Sequence, residues 1–237
     1  MKPRIWAILP AAGSGRRMAS DVPKQYLQLA GRSVLEHSLR AVLAHPDVEG
    51  AIVATAAGDG RWPGWTTMDG KPVQRVDGGA ERADSVRAGL LAVREHVADG
   101  AAWALVHDAA RPCLRQEDLD RLIRFCLDAG EGGLLAAPVR DTLKRVDPAS
   151  AAERPRALGT EARAGLWRAL TPQFFPAQAL LDALEHARAA GVAITDEAMA
   201  MERRGAQPLL VEGAEDNLKI TTPADLALAE FLLARMG

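Results

Sequence analysis

Short apolar runs alternate with amphipathic segments along this 237-residue chain. The apolar runs lie at 4–9, 50–54, 103–107 and 133–138, and each has the length of a buried strand. Segments with the apolar spacing of a helix separate them. Because strands that alternate with helices are typical of crossover units, the pattern predicts an α/β fold whose mostly parallel sheet is flanked by helices.

Capping residues mark where several helices begin. Ser33-Val-Leu-Glu36 has the spacing of a capping box, and His45-Pro46 is expected to end the helix that it opens. Thr222-Pro-Ala-Asp225 opens the last helix in the same way, with proline in the first turn. The other helices are predicted at 85–97, 116–129, 176–190 and 196–204.

Two segments depart from this alternation. Residues 56–72 are rich in glycine and predict a long surface loop, in which Trp62 and Trp65 are expected to pack against the rest of the protein. Residues 140–165 are rich in alanine, arginine and proline and have too few apolar positions for a core of their own. We expect one domain over 1–237 with an arm at 140–165 that lies at a dimer interface.

Composition and charge narrow the class of protein. The net charge of -2 gives no general attraction for nucleic acid or for an anionic membrane, so we expect neither as a partner and expect a small ligand instead. Cys113 and Cys126 lie in or beside apolar stretches, which is typical of buried free thiols in a reducing compartment. The chain shows neither a signal peptide nor an apolar run of membrane-spanning length, so a cytoplasmic protein is expected.

The first apolar run leads into a turn that carries glycine and cations. Gly13 and Gly15 are followed by Arg16, Arg17 and then Lys24, a makeup that suits phosphate oxygens. The spacing is neither that of a P-loop nor that of a dinucleotide-binding loop. The alternative reading is a tight connection without a ligand.

Two further polar segments stand where strands end. In Val76-Asp-Gly-Gly-Ala-Glu-Arg-Ala-Asp-Ser85 two glycines precede a helix, whose cap we expect to be Ser85, and the backbone of Gly78 and Gly79 has the freedom to contact the edge of a base. A plain capped turn is the alternative. Asp108 follows an apolar strand, as suits a Mg²⁺ ion held between phosphates, although a helix cap is an equal alternative. His107 beside it is interpreted as structural.

A last polar segment lies near the end of the chain. Asp216-Asn-Leu-Lys-Ile-Thr-Thr222 is expected to place Lys219 on a short strand. Taken alone, Lys219 would be a solvated lysine.

Together these segments match a known family in order and wording. They are Ala11-Ala-Gly-Ser-Gly-Arg-Arg-Met18, Pro23-Lys-Gln-Tyr26, Val76-Asp-Gly-Gly79, Val106-His-Asp-Ala-Ala-Arg-Pro112, Ala137-Pro-Val-Arg-Asp-Thr142, Leu170-Thr-Pro-Gln-Phe174, Thr195-Asp-Glu-Ala198 and Asp216-Asn-Leu-Lys219. The set closely resembles the 2-C-methyl-D-erythritol 4-phosphate cytidylyltransferases of the non-mevalonate isoprenoid pathway. The resemblance covers nearly the whole chain.

The resemblance implies an activity and an assembly. Members of that family transfer CMP from CTP to methylerythritol phosphate and release pyrophosphate, with Mg²⁺ as cofactor. It also implies a Rossmann-like sheet of the nucleotide-diphospho-sugar transferase type and a homodimer with exchanged arms. The alternatives are a cytidylyltransferase for another polyol phosphate, such as ribitol 5-phosphate, and a nucleotide-binding protein without catalysis.

The resemblance also implies roles for residues at matching positions. The implied catalytic cations are Arg17, Lys24 and Lys219, and the implied magnesium ligand is Asp108. Ala11, Ala12, Gly13 and Gly15 would contact the nucleotide phosphates through their backbone, and Gly79 and Ser85 would contact the cytosine. Arg111, Thr142, Thr171 and Arg163 would bind the phosphate of the alcohol, Arg163 coming from the partner's arm. Ala80 stands where the family often has an acidic residue, so a side-chain contact is lost there.

Overall fold

The structure, a computed structural model, describes residues 3–13, 22–97, 101–147 and 154–236. Its strands are β1 (Arg4–Pro10), β2 (Gln28–Leu29), β3 (Arg32–Ser33), β4 (Val48–Thr55), β5 (Thr67–Met68), β6 (Lys71–Asp77), β7 (Ala102–Val106), β8 (Gly133–Pro138), β9 (Leu143–Val146), β10 (Ala157–Glu161), β11 (Trp167–Pro176) and β12 (Leu209–Glu212). Its helices are α1 (Val34–Leu43), α2 (Arg82–His96), α3 (Gln116–Ala129), α4 (Ala177–Ala189), α5 (Glu197–Glu202) and α6 (Pro223–Leu233), and a 3₁₀ turn spans Lys24–Tyr26.

Eight strands form one central sheet in the order β12-β8-β11-β7-β1-β4-β6-β5. The pairs β12–β8, β7–β1, β1–β4 and β4–β6 are parallel. Strand β11 runs antiparallel to both of its neighbours, and β5 antiparallel to β6. The predicted α/β fold with a mostly parallel sheet is confirmed.

Helices cover both faces of this sheet because the side chains of β1 alternate between two buried clusters. Ile5 and Leu9 join the cluster that includes α1 and α3, whereas Trp6 and Ile8 join the cluster that includes α2 and α4. A strand buried on both faces is typical of a parallel sheet. Helix α6 belongs to a smaller third cluster.

The structure confirms most of the predicted helix boundaries and corrects one cap. Helix α3 spans the predicted residues, and Ser33 accepts a hydrogen bond from the Glu36 N–H at 3.1 Å. Helix α2 begins at Arg82, three residues before the predicted start, with Glu81 as its N-cap. The prediction that Ser85 caps this helix was therefore wrong. The hydroxyl of Ser85 instead accepts from the Gly79 N–H at 3.2 Å.

The expected strand around Lys219 was also wrong, because residues 213–222 form no strand. Long-range hydrogen bonds hold this segment in place of a ladder. The Ala214 N–H donates to Asp118 at 2.7 Å, and Arg111 donates to the Asn217 carbonyl at 2.6 Å. The Ile220 N–H donates at 2.8 Å to the carbonyl of Ala110, which lies in the loop after β7. Lys219 is thus fixed from both sides.

The two segments that break the alternation differ in structure. The loop predicted at 56–72 ends earlier, since β5 and β6 occupy its last part, and Trp62 and Trp65 pack edge to face at 5.3 Å against the core as expected. Within 140–165, strands β9 and β10 pair as an exposed hairpin. Residues 148–153, which connect these strands in the sequence, lie outside the described residues.

Two expectations from composition can also be compared with the structure. Cys113 and Cys126 are both free and buried, as predicted. Among the helices of the described ranges, none has both the length and the apolar character needed to cross a membrane.

The central sheet predicts where the fold is most sensitive to truncation. Leu105 on β7 is fully buried, so Leu105→Ala should lower the free energy of unfolding by about 2–5 kcal/mol. Leu228→Ala on α6 is the matched control, because half of that side chain is exposed, and should cost less than about 1 kcal/mol. Urea unfolding of both variants measures the difference, and equal losses would contradict this account of the core.

Candidate active site

A crevice lies at the place in the sheet where the order of the parallel strands reverses. From the central strand β1 the chain continues to β4 and β6 on one side, and then returns to β7 on the other side. The loops that follow β1 and β7 therefore diverge and leave a crevice at the carboxyl edge of the sheet. Such a crevice is the expected binding place in an open α/β sheet.

This crevice has a volume of about 300 Å³. Eight of the predicted site residues line it, namely Ala11, Ala12, Gly13, Lys24, Gly79, Ser85, Asp108 and Lys219. The wall also contains Gln25, Glu81, Arg82 and Thr221, to which the sequence assigned no role. The predicted residues Gly15 and Arg17 lie outside the described residues.

Asp108 is surrounded by cations. Its Oδ1 accepts from Arg82 Nε at 3.0 Å, and its Oδ2 accepts from Arg111 Nε at 3.2 Å. Lys219 Nζ lies 3.0 Å from the same Oδ2. Burial alone would raise the pKa of Asp108, but Arg82, Lys219 and Arg111 outweigh it and hold the pKa well below its ordinary value. The carboxylate is therefore ionised at any pH at which the protein works.

Arg82 is the main residue that sequence reasoning missed. It also binds Glu197 through both terminal nitrogens, at 2.6 and 3.0 Å, and so bridges two carboxylates. Burial opposes its charge, yet Glu197 and Asp108 raise the pKa of the guanidinium further. The available signal was an arginine beside the glycine pair that precedes α2. Its partners lie too far along the chain to be inferred from spacing.

A hydrogen-bonded chain behind Asp108 fixes the end of β7. The ring of His107 is fully buried, and its Nε2 lies 2.9 Å from the carbonyl of Arg111, which can only accept. The other nitrogen then accepts from the Thr171 hydroxyl at 3.0 Å, and that hydroxyl accepts from the Asp108 N–H at 3.1 Å. This arrangement agrees with the structural role predicted for His107.

Gln25 orients the start of the loop after β1. Its Nε2 donates to the carbonyl of Ala11 at 2.7 Å and to that of Gly13 at 3.2 Å. Because the C=O and the following N–H point in opposite directions across a planar peptide, the bond to Ala11 turns the N–H of Ala12 the other way. The loop can thereby present backbone donors to an anion.

Lys24 is tied to the segment that carries Lys219. Lys24 Nζ donates to the carbonyl of Ile220 at 2.9 Å, and Ile220 directly follows Lys219. The 3₁₀ turn and the segment 213–222 are therefore linked through Lys24. Both lysines line the crevice.

The glycine pair after β6 is tightly packed. A Cβ at Gly78 would come within 2.7 Å of Ser85 Oγ, and one at Gly79 within 2.2 Å of Asp84 Cβ. Any side chain at these positions would push this turn away from α2. The turn stays close to α2 because glycine occupies both positions.

Four predicted contacts to the second substrate are divided between two places. Arg111 and Thr171 are buried beside Asp108 and do not line the crevice. Thr142 and Arg163 are exposed at the arm, where Arg163 donates to the carbonyl of Arg140. Burial therefore distinguishes Arg111 and Thr171, which contact Asp108, from the exposed Thr142 and Arg163.

The donor set limits how a metal could be held. In the described part of the chain no three His, Cys, Asp or Glu side chains form a group that could ligate a metal ion. Asp108 has three of its lone-pair positions engaged by cations. These residues suit a metal that brings most of its oxygen ligands from a bound phosphate chain, as Mg²⁺ does.

Comparison with known proteins gives a consistent result. The profile of the IspD family, described as 2-C-methyl-D-erythritol 4-phosphate cytidylyltransferase, matches residues 5–235. A protein of that description from Xanthomonas oryzae pv. oryzae (strain PXO99A) is 56% identical over 234 residues, which are 98% of this chain and 84% of the relative. One from Stenotrophomonas maltophilia (strain K279a) is 54% identical over 236 residues, or 99% of both chains.

Solved structures agree in fold. The crystal structure titled 4-diphosphocytidyl-2C-methyl-D-erythritol synthase superposes with a TM-score of 0.79 at 37% sequence identity. The match covers 98% of this chain and all of that one. The central sheet and its flanking helices are therefore those of a Rossmann-like nucleotidyltransferase.

The buried His107 predicts a pH dependence of stability. Burial lowers the pKa of His107 to about 4, whereas the unfolded chain takes up this proton near pH 6.5. The unfolded state thus binds more protons between these values, and stability is kept above pH 6.5 and lost as the pH falls. From pH 7 to pH 5 the loss from this residue should be about 2 kcal/mol.

Denaturant unfolding at pH 7 and pH 5 measures this effect. His107→Gln keeps a donor for the Arg111 carbonyl but cannot titrate, so it should show a smaller loss of stability on acidification than the parent. The control, His186→Gln on the exposed side of α4, should keep the parent's dependence. An equal acid loss in the His107 variant would contradict the assignment.

Proposed function

Because the chain belongs to the 2-C-methyl-D-erythritol 4-phosphate cytidylyltransferase family, we propose that it transfers CMP from CTP to 2-C-methyl-D-erythritol 4-phosphate and releases pyrophosphate. The product is an intermediate on the way to isoprenoid precursors. The observation that supports this proposal best is the set of cations in the crevice, because Lys24, Arg82 and Lys219 line it together with Asp108. A protein that only bound a nucleotide would not need so many fixed cations at one point.

The reaction needs cations in the active site but does not need a general base. An oxygen of the alcohol's phosphate is already an anionic nucleophile, and it forms a bond to the α-phosphorus of CTP as the bond from that phosphorus to the pyrophosphate oxygen breaks. Charge repulsion between the reactants and the charge that gathers in the transition state form the barrier. Cations that are fixed beforehand lower it most, and losing one such group commonly costs about 3–4 kcal/mol.

Roles follow from position in the crevice. We assign the triphosphate to the backbone of Ala11, Ala12 and Gly13, whose loop Gln25 orients, with Gly15 and Arg17 continuing that loop. Lys24 and Lys219 are assigned to the reacting phosphates. Gly79 and Ser85 are assigned to the cytosine, where the hydrogen bond between them sets the position of the glycine backbone.

The alcohol phosphate would lie between the cluster and an arm. Thr142 and Arg163 are exposed on the arm, and we propose that Arg163 reaches the crevice of the partner subunit in a homodimer with exchanged arms. Exposed apolar side chains on this hairpin support a protein contact, since Leu158 is 68% exposed. Arg111 and Thr171 would act from behind Asp108, which they contact directly.

A divalent cation, Mg²⁺ in this proposal, would accompany the triphosphate. Asp108 is the carboxylate that would serve as its protein ligand, through the lone pair that the cations leave. When bound, the ion would offset negative charge on the phosphate oxygens. The cations of the crevice keep the substrates aligned around it.

A pyrophosphate-release assay tests the proposal. CTP is offered with methylerythritol phosphate, with ribitol 5-phosphate and with other sugar-alcohol phosphates, and ATP, GTP and UTP are offered in parallel. We expect release with CTP and methylerythritol phosphate to exceed every other pair. Preference for another polyol phosphate would reassign the second substrate, and CTP binding without release under any condition would leave a nucleotide-binding protein.

The exchanged arms predict complementation between inactive subunits. Lys219→Met removes a cation of the crevice, and Arg163→Ala removes the arm's phosphate ligand, so each variant alone should be nearly inactive. In a mixed dimer one of the two sites keeps both residues, and random exchange should therefore restore about a quarter of the parent's sites. Activity is measured after exchange of differently tagged subunits has been verified, and no recovery would rule out Arg163 acting in the partner's site.

A further inference from the structure

Glu197 is a buried carboxylate that contacts the cation cluster from outside the crevice. Its side chain is 1% exposed, and its two oxygens accept from Arg82 at 2.6 and 3.0 Å. Glu197 does not line the crevice, whereas Arg82 does. The Nε of the same guanidinium donates a hydrogen bond to Oδ1 of Asp108. Arg82 therefore stands between Glu197 and Asp108.

The backbone that carries Glu197 is itself anchored to the sheet. Glu197 is the first residue of α5, and the N–H of the next residue, Ala198, donates to Gln173 Oε1 at 2.8 Å. Gln173 lies on β11 with 1% of its surface exposed, and its amide nitrogen donates to Asp196 at 2.9 Å. The start of α5 is thus held on both sides of Glu197. The two carboxylate oxygens of Glu197 are therefore fixed where Arg82 can bind both of them.

We propose that Glu197 is a positioning residue for cytidylyl transfer, and that it acts through Arg82 on Asp108 and Lys219. The bidentate pair prevents the guanidinium from turning, so Arg82 keeps its Nε on Oδ1 of Asp108. With Oδ1 held, the carboxylate presents Oδ2 to Lys219 at 3.0 Å. A reacting group moved by about 1 Å can lose about 100-fold in rate. This inference rests on the proposed function.

A comparison on the same helix distinguishes this pair from an ordinary surface pair. Arg87 on α2 binds Glu185 at 2.5 Å, but Glu185 is 40% exposed, and its ion pairs within the described residues are with Arg87 and Arg188 rather than with a residue that contacts Asp108. Arg82 and Glu197 differ in burial and in their direct connection to Asp108. Glu185→Gln is therefore the matched control for Glu197→Gln.

Steady-state kinetics with CTP and the alcohol phosphate test the proposal. Glu197→Gln should lower kcat about 10- to 100-fold while the KM for CTP stays within about threefold, because the triphosphate loop is untouched. Glu185→Gln should leave both constants near those of the parent. If Glu197 acts through Arg82, the double variant with Arg82→Gln should be no slower than Arg82→Gln alone. Effects that multiply would overturn the proposal.

A structural measurement separates positioning from folding and from the choice of substrate. Crystal structures of the parent and of Glu197→Gln are compared. In the variant, Arg82 should be displaced from Oδ1 of Asp108, and Lys219 should have moved with the carboxylate. Unchanged positions of these groups would overturn the proposal whether or not the parent releases pyrophosphate. A parent without activity would instead contradict the proposed function. If Glu197→Gln does not fold, Glu197→Asp, which keeps the charge and shortens the reach, is used for both measurements with the same expected directions.

Discussion

The site depends on one buried carboxylate that lies among three cations. Asp108 is 6% exposed, and without Arg82, Arg111 and Lys219 its charge could not stay buried at a tolerable cost. The dependence is mutual, because the cations would repel one another without the carboxylate between them. Removing the carboxylate leaves the buried Arg111 guanidinium without this counter-charge, and breaking a buried ion pair in this way commonly costs about 3–5 kcal/mol. The geometry of the crevice is therefore also a condition for stability at this end of the sheet.

The fold brings these groups together through the order of its strands. Asp108 follows β7, the loop that we assign to the triphosphate follows β1, and the two strands are parallel neighbours. Hydrogen bonds continue beyond the strand ends, from the His107 N–H to the Ile8 carbonyl at 2.9 Å and from the Ala11 N–H to the Ala54 carbonyl at 2.7 Å. The reversal of strand order beside β1 then opens the space between the loops, so that a rigid sheet fixes residues that belong to its connecting loops.

Local signals in the sequence were enough for the strands β1, β4, β7 and β8, for helix α3 and for the residues that follow β1 and β7. They failed where long-range contacts override local preference. Arg82 binds partners 26 and 115 residues away, and no spacing rule connects such positions. Lys219 was expected on a strand, yet side chains from α3 and from the turn after β7 hold its segment instead. Serine is a common capping residue, but the hydroxyl of Ser85 accepts a hydrogen bond from the Gly79 N–H in the turn before α2.

The two internal carboxylates also explain how a chain with a net charge of -2 can keep a cation cluster ready for an anionic substrate. Asp108 and Glu197 occupy the positions that substrate anions would otherwise have to fill before the cations could approach one another. An incoming triphosphate must compete with them, so part of the binding energy is lost. In return the cations need little rearrangement when charge gathers at the reacting phosphorus, and electrostatic stabilisation is most effective under that condition. A site with free cations would bind CTP more tightly and would have to reorganise during the reaction.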